Sequence, residues 1–188
     1  MQRRKQRVDA AIAQAQEERG VLVLLSGNGK GKSSSAFGML ARALGHGQRV
    51  GVAQFIKGGQ PSGEQLFFAE HPRVRWAVMG TGFTWDTQDR QADQAAAQRL
   101  WSQVAQMLAD PALDLVILDE LTYMFQFDYL PWSEVRQAIL QRPPGQSLVI
   151  TGRGARPELI ELADTYSEVR EVKHGFQQGL KARAGIEY

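Results

Sequence analysis

The chain contains no cysteine, which excludes disulfides, thiolate metal ligands and cysteine nucleophiles together. No apolar run approaches the roughly 20 residues that cross a bilayer. The basic start, Arg3-Arg4-Lys5, leads into polar, alanine-rich sequence and not into the apolar core of a signal peptide. A cytoplasmic protein with no membrane partner is expected. An excess of one charge is also missing: 22 Lys and Arg stand against 20 Asp and Glu, for a net +2, and the basic residues form no long stripe. No nucleic-acid partner is expected from such a balance. There is no internal repeat, no low-complexity tract and no linker that would divide the chain. The 188 residues, 43% hydrophobic and 22% charged, suit one globular domain with a sizeable core.

What is present in quantity is glycine at close spacing in one place: Ser26-Gly27-Asn28-Gly29-Lys30-Gly31-Lys32-Ser33. The run before it, Val21 to Leu25, is continuously apolar, as in a strand buried on both faces. After it, Phe37, Leu40, Ala41 and Leu44 recur at helical spacing until Gly45. Strand, glycine-rich turn and helix are the setting of a phosphate-binding loop, where backbone N–H groups converge on oxyanions at a positive helix N-terminus. Lys32 would supply a mobile cation for the terminal phosphates, and Ser33 a hydroxyl for Mg²⁺. The pattern G-x-x-x-x-G-K-[ST] is broken at its first position, where Ser26 stands and the glycine comes one residue later.

Residues 2 to 19 carry a narrow apolar stripe of Val8, Ala11, Ile12 and Ala15. Arginines crowd the start, and Glu17 and Glu18 the end, both against the helix dipole. Such a helix is weak alone, so the segment reads either as a frayed arm or as one ordered on a partner subunit or over a site. His46, within Gly45-His46-Gly47, reads as a loop residue. Arg49 to Phe55 is a second strand, followed by a glycine-rich loop, Ile56 to Gly63, where ligands of open α/β sheets lie. Val74 to Val78 is a third strand. It leads to Gly80-Thr81-Gly82-Phe83-Thr84-Trp85, whose two aromatics would either staple the loop or wall a flat ligand.

Asp89 to Ala109 is predicted as a long helix with Trp101 in the core. Leu115 to Leu118, ending in Asp119-Glu120, has the form of a Walker B strand. Consecutive strand side chains point to opposite faces, so an undistorted end aims only one carboxylate at a metal beside Ser33, and spacing does not decide which. An aromatic-rich connection, Thr122 to Leu130, precedes a helix opened by Pro131. Ser147 to Thr151 is a fifth strand ending in Gly152-Arg153-Gly154, with Arg153 either an anion contact or a structural ion-pair residue. A short helix from Pro157 and a last strand, Tyr166 to Lys173, precede a glycine-punctuated tail. The expected fold class is α/β: one P-loop NTPase-like, RecA-like domain at 21–188, with a mostly parallel sheet, helices on both faces and an N-terminal helical arm at 1–20.

Taken together, Gly27 to Ser33, Gly45-His46-Gly47, Gln54-Phe55-Ile56-Lys57-Gly58, Gly80 to Trp85, Leu118-Asp119-Glu120-Leu121-Thr122-Tyr123, Thr151-Gly152-Arg153-Gly154 and Val172-Lys173-His174 resemble the ATP:corrinoid adenosyltransferases of the P-loop type. The resemblance covers essentially the whole chain, and the Ser26-Gly27 opening fits that family's shortened loop. Ser33 replaces its more frequent threonine. What the resemblance implies is transfer of the 5′-deoxyadenosyl group of ATP to the Co(I) of a corrinoid, with release of triphosphate, in adenosylcobalamin biosynthesis or salvage. The resemblance also implies that ATP would be held reversed, so that C5′ is exposed.

By position, Gly27, Asn28, Gly29, Lys30, Gly31, Lys32, Ser33 and Ser34 would bind triphosphate, with Arg153 beside them. Ser33 and Glu120 would ligate Mg²⁺, with Mn²⁺ as an alternative, and Asp119 would support the metal from behind. Phe83 and Trp85 correspond to aromatics on the lower face of the cobalt. A homodimer and a flavodoxin-type reductant are likewise implied. Two other readings are open on the residues alone: a P-loop phosphotransferase or ATPase acting on the γ-phosphate, and a nucleotide-dependent binding module without chemistry.

Overall fold

The computed structural model describes residues 2–56, 61–80 and 89–187. Phe83 and Trp85 lie outside the described residues, as do Lys57 to Gln60.

Six strands form one parallel sheet in the order β3-β2-β4-β5-β1-β6. They are β1 (Leu22–Ser26), β2 (Val50–Gln54), β3 (Val74–Val78), β4 (Leu115–Asp119), β5 (Ser147–Thr151) and β6 (Thr165–Glu168). The helices are α1 (Gln2–Gln14), α2 (Lys32–Gly45), α3 (Gly63–Phe68), α4 (Arg90–Ala109), α5 (Thr122–Gln126), α6 (Trp132–Gln141) and α7 (Pro157–Leu162). The expected α/β class with a parallel sheet is what the chain forms.

Strand side chains alternate between two cores, so helices cover both faces. Leu25, Val50, Val52, Leu115, Ile117 and Val149 pack against α2 through Ala36, Phe37 and Leu40. Leu22, Leu24, Val116, Leu118, Leu148 and Ile150 face the other way, onto Ala97, Leu100 and Val104 of α4, Val135 and Ile139 of α6 and Leu159 of α7. Trp101 lies in that second core, as expected, with its indole N–H donated to Glu134 at 2.7 Å. Because the strands are parallel, Ser26, Gln54, Asp119 and Thr151 all end at one edge of the sheet.

Three expectations change in detail. The glycine-rich loop after β2 ends in a short helix, α3, whose first turn is capped by the Ser62 hydroxyl accepting from the Gln65 N–H at 3.2 Å. The Ser62-x-x-Gln65 spacing is that of a capping box and was the available signal. The aromatic connection after β4 begins with a helical turn, α5. The last strand stops at Glu168: the Val169 N–H still donates to the Ser26 carbonyl at 2.7 Å, but its own carbonyl accepts from the Gly29 N–H of the loop at 2.7 Å.

The arm does form helix α1, and Val8 and Ile12 of its apolar stripe are exposed. Its junction with the sheet is fastened at the strand N-termini: Asp164 accepts from Arg19 at 2.6 and 2.9 Å and from the Leu22 N–H at 2.7 Å. Those charges and the backbone donor hold the Asp164 carboxyl well below the ordinary range, at about 2. The arm therefore leaves the domain at the sheet edge opposite the glycine-rich loop.

Candidate functional site

At the C-terminal edge of the sheet a cavity of about 620 Å³ opens between the glycine-rich loop, the ends of β2, β4 and β5, helix α3 and the chain terminus. Asn28, Gly29, Lys30, Gly31, Lys32, Ser33 and Ser34 line it, as do Asp119, Glu120 and Arg153. Gly27 does not. It sits at the turn out of β1 with φ 108°, and a Cβ there would meet the Val169 carbonyl oxygen at 2.5 Å. Ser26, the residue that breaks the generic motif, is still a strand residue. Its buried hydroxyl accepts from the Ala155 N–H at 3.4 Å on the far side of the sheet.

Gly31 caps α2 at φ 119°, a left-handed conformation that favours glycine, and so aims the first turn of the helix at the cavity. Lys32 opens that turn. Its side chain is 5% exposed and its ammonium donates to the Gly29 carbonyl at 2.7 Å. Burial lowers the Lys32 pKa below the ordinary lysine value, Glu120 and Asp119 oppose that, and Arg153 adds to it. Three cations, Lys30, Lys32 and Arg153, thus line one cavity. Arg153 makes no salt bridge among the described residues, which leaves its guanidinium available to an anion.

The two carboxylates after β4 both line the cavity, against the alternation expected of an undistorted strand end. Asp119 continues the face of Leu115 and Ile117, which is the α2 face. Glu120 leaves the strand in the left-handed region, at φ 60°, and this turn brings it to the same side. Both Asp119 oxygens are engaged: Oδ1 accepts from the Thr151 hydroxyl at 2.7 Å and Oδ2 from the Gln54 amide at 3.2 Å. The register sets Gln54 directly opposite Asp119 on one flanking strand, and β5 supplies Thr151 on the other. Glu120 is only partly buried. A hydroxyl and two carboxylates are hard oxygen donors of the kind Mg²⁺ takes, alongside phosphate and water, so the residues fit such an ion.

Gln54, Thr151, Ser62 and the terminus were not singled out as site residues by sequence. The signals for the first two were a polar residue ending an otherwise apolar strand and their place at the head of two of the blocks that carry the resemblance. Gly185, Ile186 and Glu187 form part of the cavity wall, with Lys30 donating to Glu187 at 2.8 Å across the mouth. His174 also lines the cavity. His46 is an exposed loop residue at the end of α2, as expected.

A parallel sheet with a glycine-rich loop between β1 and α2, and a carboxylate strand two places away, defines an α/β nucleotide-binding protein of the P-loop type. Residues 18–188 match the family described as ATP:corrinoid adenosyltransferase BtuR/CobO/CobP, and the chain belongs to that family. It is 55% identical to a corrinoid adenosyltransferase of Escherichia coli K12 over 187 residues, covering all of this chain and 95% of that one. It is 56% identical to the corrinoid adenosyltransferase CobA of Salmonella typhimurium, with the same coverage. A corrinoid adenosyltransferase of Pseudomonas aeruginosa is 56% identical, over all of this chain and 93% of that one.

Proposed function

We propose that this protein transfers the 5′-deoxyadenosyl group of ATP to the Co(I) centre of a corrinoid and releases triphosphate. Adenosyl transfer from ATP to a corrinoid is the activity of its family. The observation that carries the finer reading is the single cavity in which the glycine-rich loop, Lys32, Arg153 and the Asp119-Glu120 pair converge. In the reaction the cobalt electron pair forms the Co–C5′ bond while the C5′–O bond breaks, and that pair of electrons leaves on triphosphate. The nucleophile carries no proton, so what the chain must supply is alignment and stabilisation of the leaving anion.

The free amides of the loop, Lys32 and Arg153 receive the phosphates. For this Lys32 turns from the Gly29 carbonyl toward the ligand. Ser33 and Glu120 would hold Mg²⁺, or Mn²⁺ in its place, which would neutralise charge on the triphosphate. Asp119, with both oxygens engaged on neighbouring strands, supports that site from behind. Phe83 and Trp85 would close the lower face of the corrin, keeping an axial ligand off Co(II) so that a mild reductant of the flavodoxin type can deliver the electron. The arm would cover the corrinoid site of a second subunit in a homodimer. Its exit at the opposite edge of the sheet, and its exposed Val8 and Ile12, support that reading.

Phosphorus analysis of ATP turnover with chemically reduced corrinoid is the direct test. Triphosphate in step with adenosylated corrinoid is expected. ADP with phosphate would overturn the proposal in favour of phosphoryl transfer.

A further inference from the structure

The turn that carries Glu120 into the cavity is bonded to a side chain of the neighbouring strand. Thr151 is fully buried, at 0% exposed, and its single hydroxyl serves both residues of the pair. It donates to Asp119 Oδ1 at 2.7 Å and accepts the Glu120 N–H at 2.9 Å. The directions are fixed by chemistry. An ionised carboxylate only accepts, so the hydroxyl proton goes to Asp119, which leaves the oxygen lone pairs for the backbone donor. Glu120, at φ 60°, is held in a conformation that L-residues other than asparagine and aspartate seldom adopt.

The stitch is doubled one step further out. The Thr122 hydroxyl donates to the Arg153 carbonyl at 2.6 Å, and the Gln126 amide donates to the same oxygen. At Gly152 the two loops touch so closely that a Cβ would meet Thr122 Oγ1 at 2.0 Å. β5 lies between the carboxylate strand and the strand of the phosphate loop, so Thr151 stands where a lateral contact can reach both.

We propose that Thr151 is a positioning residue of the metal site: its one hydroxyl sets the left-handed turn at Glu120, and with it the direction of the Glu120 carboxylate, while fixing Asp119 behind. This rests on the reading that Glu120 holds the ion. Thr151→Val keeps the shape of the side chain and removes both bonds. Thr151→Ser keeps both bonds and removes a methyl group.

The test is Mn²⁺ affinity in the presence of inorganic triphosphate, followed by electron paramagnetic resonance, with metal-free triphosphate affinity measured in parallel. Glu120→Gln should weaken Mn²⁺ by at least about tenfold, and Thr151→Val by about tenfold, the scale of lost support behind a metal ligand. Thr151→Ser should stay within about twofold of the parent, the double variant should be no weaker than Glu120→Gln alone, and metal-free triphosphate affinity should not move in the two Thr151 variants, whereas Glu120→Gln, which removes a negative charge beside the anion, should raise it. Thr151→Ala carries the same comparison if the valine variant does not fold. A normal Mn²⁺ affinity in Thr151→Val beside a weakened Glu120→Gln overturns the role of Thr151 alone. Equal losses in the serine and valine variants, or fully additive losses in the double variant, do the same. An unaltered Glu120→Gln overturns the metal assignment, and this proposal with it.

Discussion

The two halves of the cavity are built in different ways. The phosphate half is assembled from strand ends and one helix start, and its groups are fixed by buried partners: the Lys32 ammonium on Gly29, the Asp119 carboxylate on Gln54 and Thr151, and the Glu120 backbone N–H on Thr151. The other half is made from the terminus and α3, and it leaves large apolar side chains in the open. Phe67 and Ile186, which line it, are 78% and 62% exposed, and Leu66, Val172, Phe176 and Leu180, outside the lining, are exposed as well. The terminus is tied to the loop by the Lys30–Glu187 pair, both of whose side chains are partly exposed. The contrast teaches a division of labour. Sites for small, highly charged groups need rigid donors in place beforehand. A surface that receives a large flat apolar substrate can gain much of its order from that substrate or from a second subunit.

The sharpest way to break this contrast is at Lys32. Lys32→Ala should lower adenosyl transfer by about 10²–10³-fold, as removal of one fixed electrostatic donor does elsewhere, with little change in the melting temperature. Near-normal turnover would remove the phosphate half from the mechanism. The wild-type enzyme should also lose triphosphate affinity on the alkaline side at a pH below the ordinary lysine range, because Lys32 is lowered by burial and must be protonated to bind. A titration of triphosphate affinity against pH, with Lys32→Arg as the comparison, reads this directly.

The proposed corrinoid contacts are probed next. Phe83→Ala and Trp85→Ala should lose most of their activity when a protein reductant supplies the electron and recover much of it when Co(I) is prepared chemically, with ATP affinity unchanged. Equal losses under both electron sources would mean that the aromatics only shape the pocket. Deleting residues 2–19 should weaken corrinoid binding more than ATP binding on the proposal that the arm, with Val8 and Ile12 exposed, covers the corrinoid. Equal effects on both ligands would refute a role in covering the corrinoid.

The smallest effects belong to the tethers. Asp164 is held at about 2 against an ordinary 3.8, so its contribution to stability is complete above pH 4 and fades as the pH falls toward 2. Asp164→Asn should cost about 1 kcal/mol near neutrality, a modest figure for a partly exposed pair. The gap between variant and parent should close in acid melts near pH 2. Glu187→Gln should raise triphosphate affinity by about twofold, because it frees Lys30 from an exposed ion pair. A fall in affinity would make Glu187 part of the binding wall and not a competitor.

Most of the architecture was legible in the sequence because it depends on local periodicity. Five of the six strands and the long helices fall where apolar runs and helical spacing put them, while the exposed last strand shares only the start of its expected range. The phosphate loop was legible because glycine spacing, Lys32 and Ser33 are contiguous, and the resemblance added the metal and corrinoid roles by position. Helix α3 was passed over although Ser62 and Gln65 signalled it, because surrounding glycines argued for a loop. The direction of Glu120 was out of reach. Alternation along a strand sends Asp119 and Glu120 to opposite faces, and the left-handed turn that brings both to one cavity is bonded to the Thr151 hydroxyl, 31 residues away on the next strand. Contiguous residues declare the chemistry of the loop through composition and spacing. Which carboxylate is engaged behind the site and which faces the ligand is decided by hydrogen bonds between neighbouring strands, and such partners leave no periodic trace in the chain.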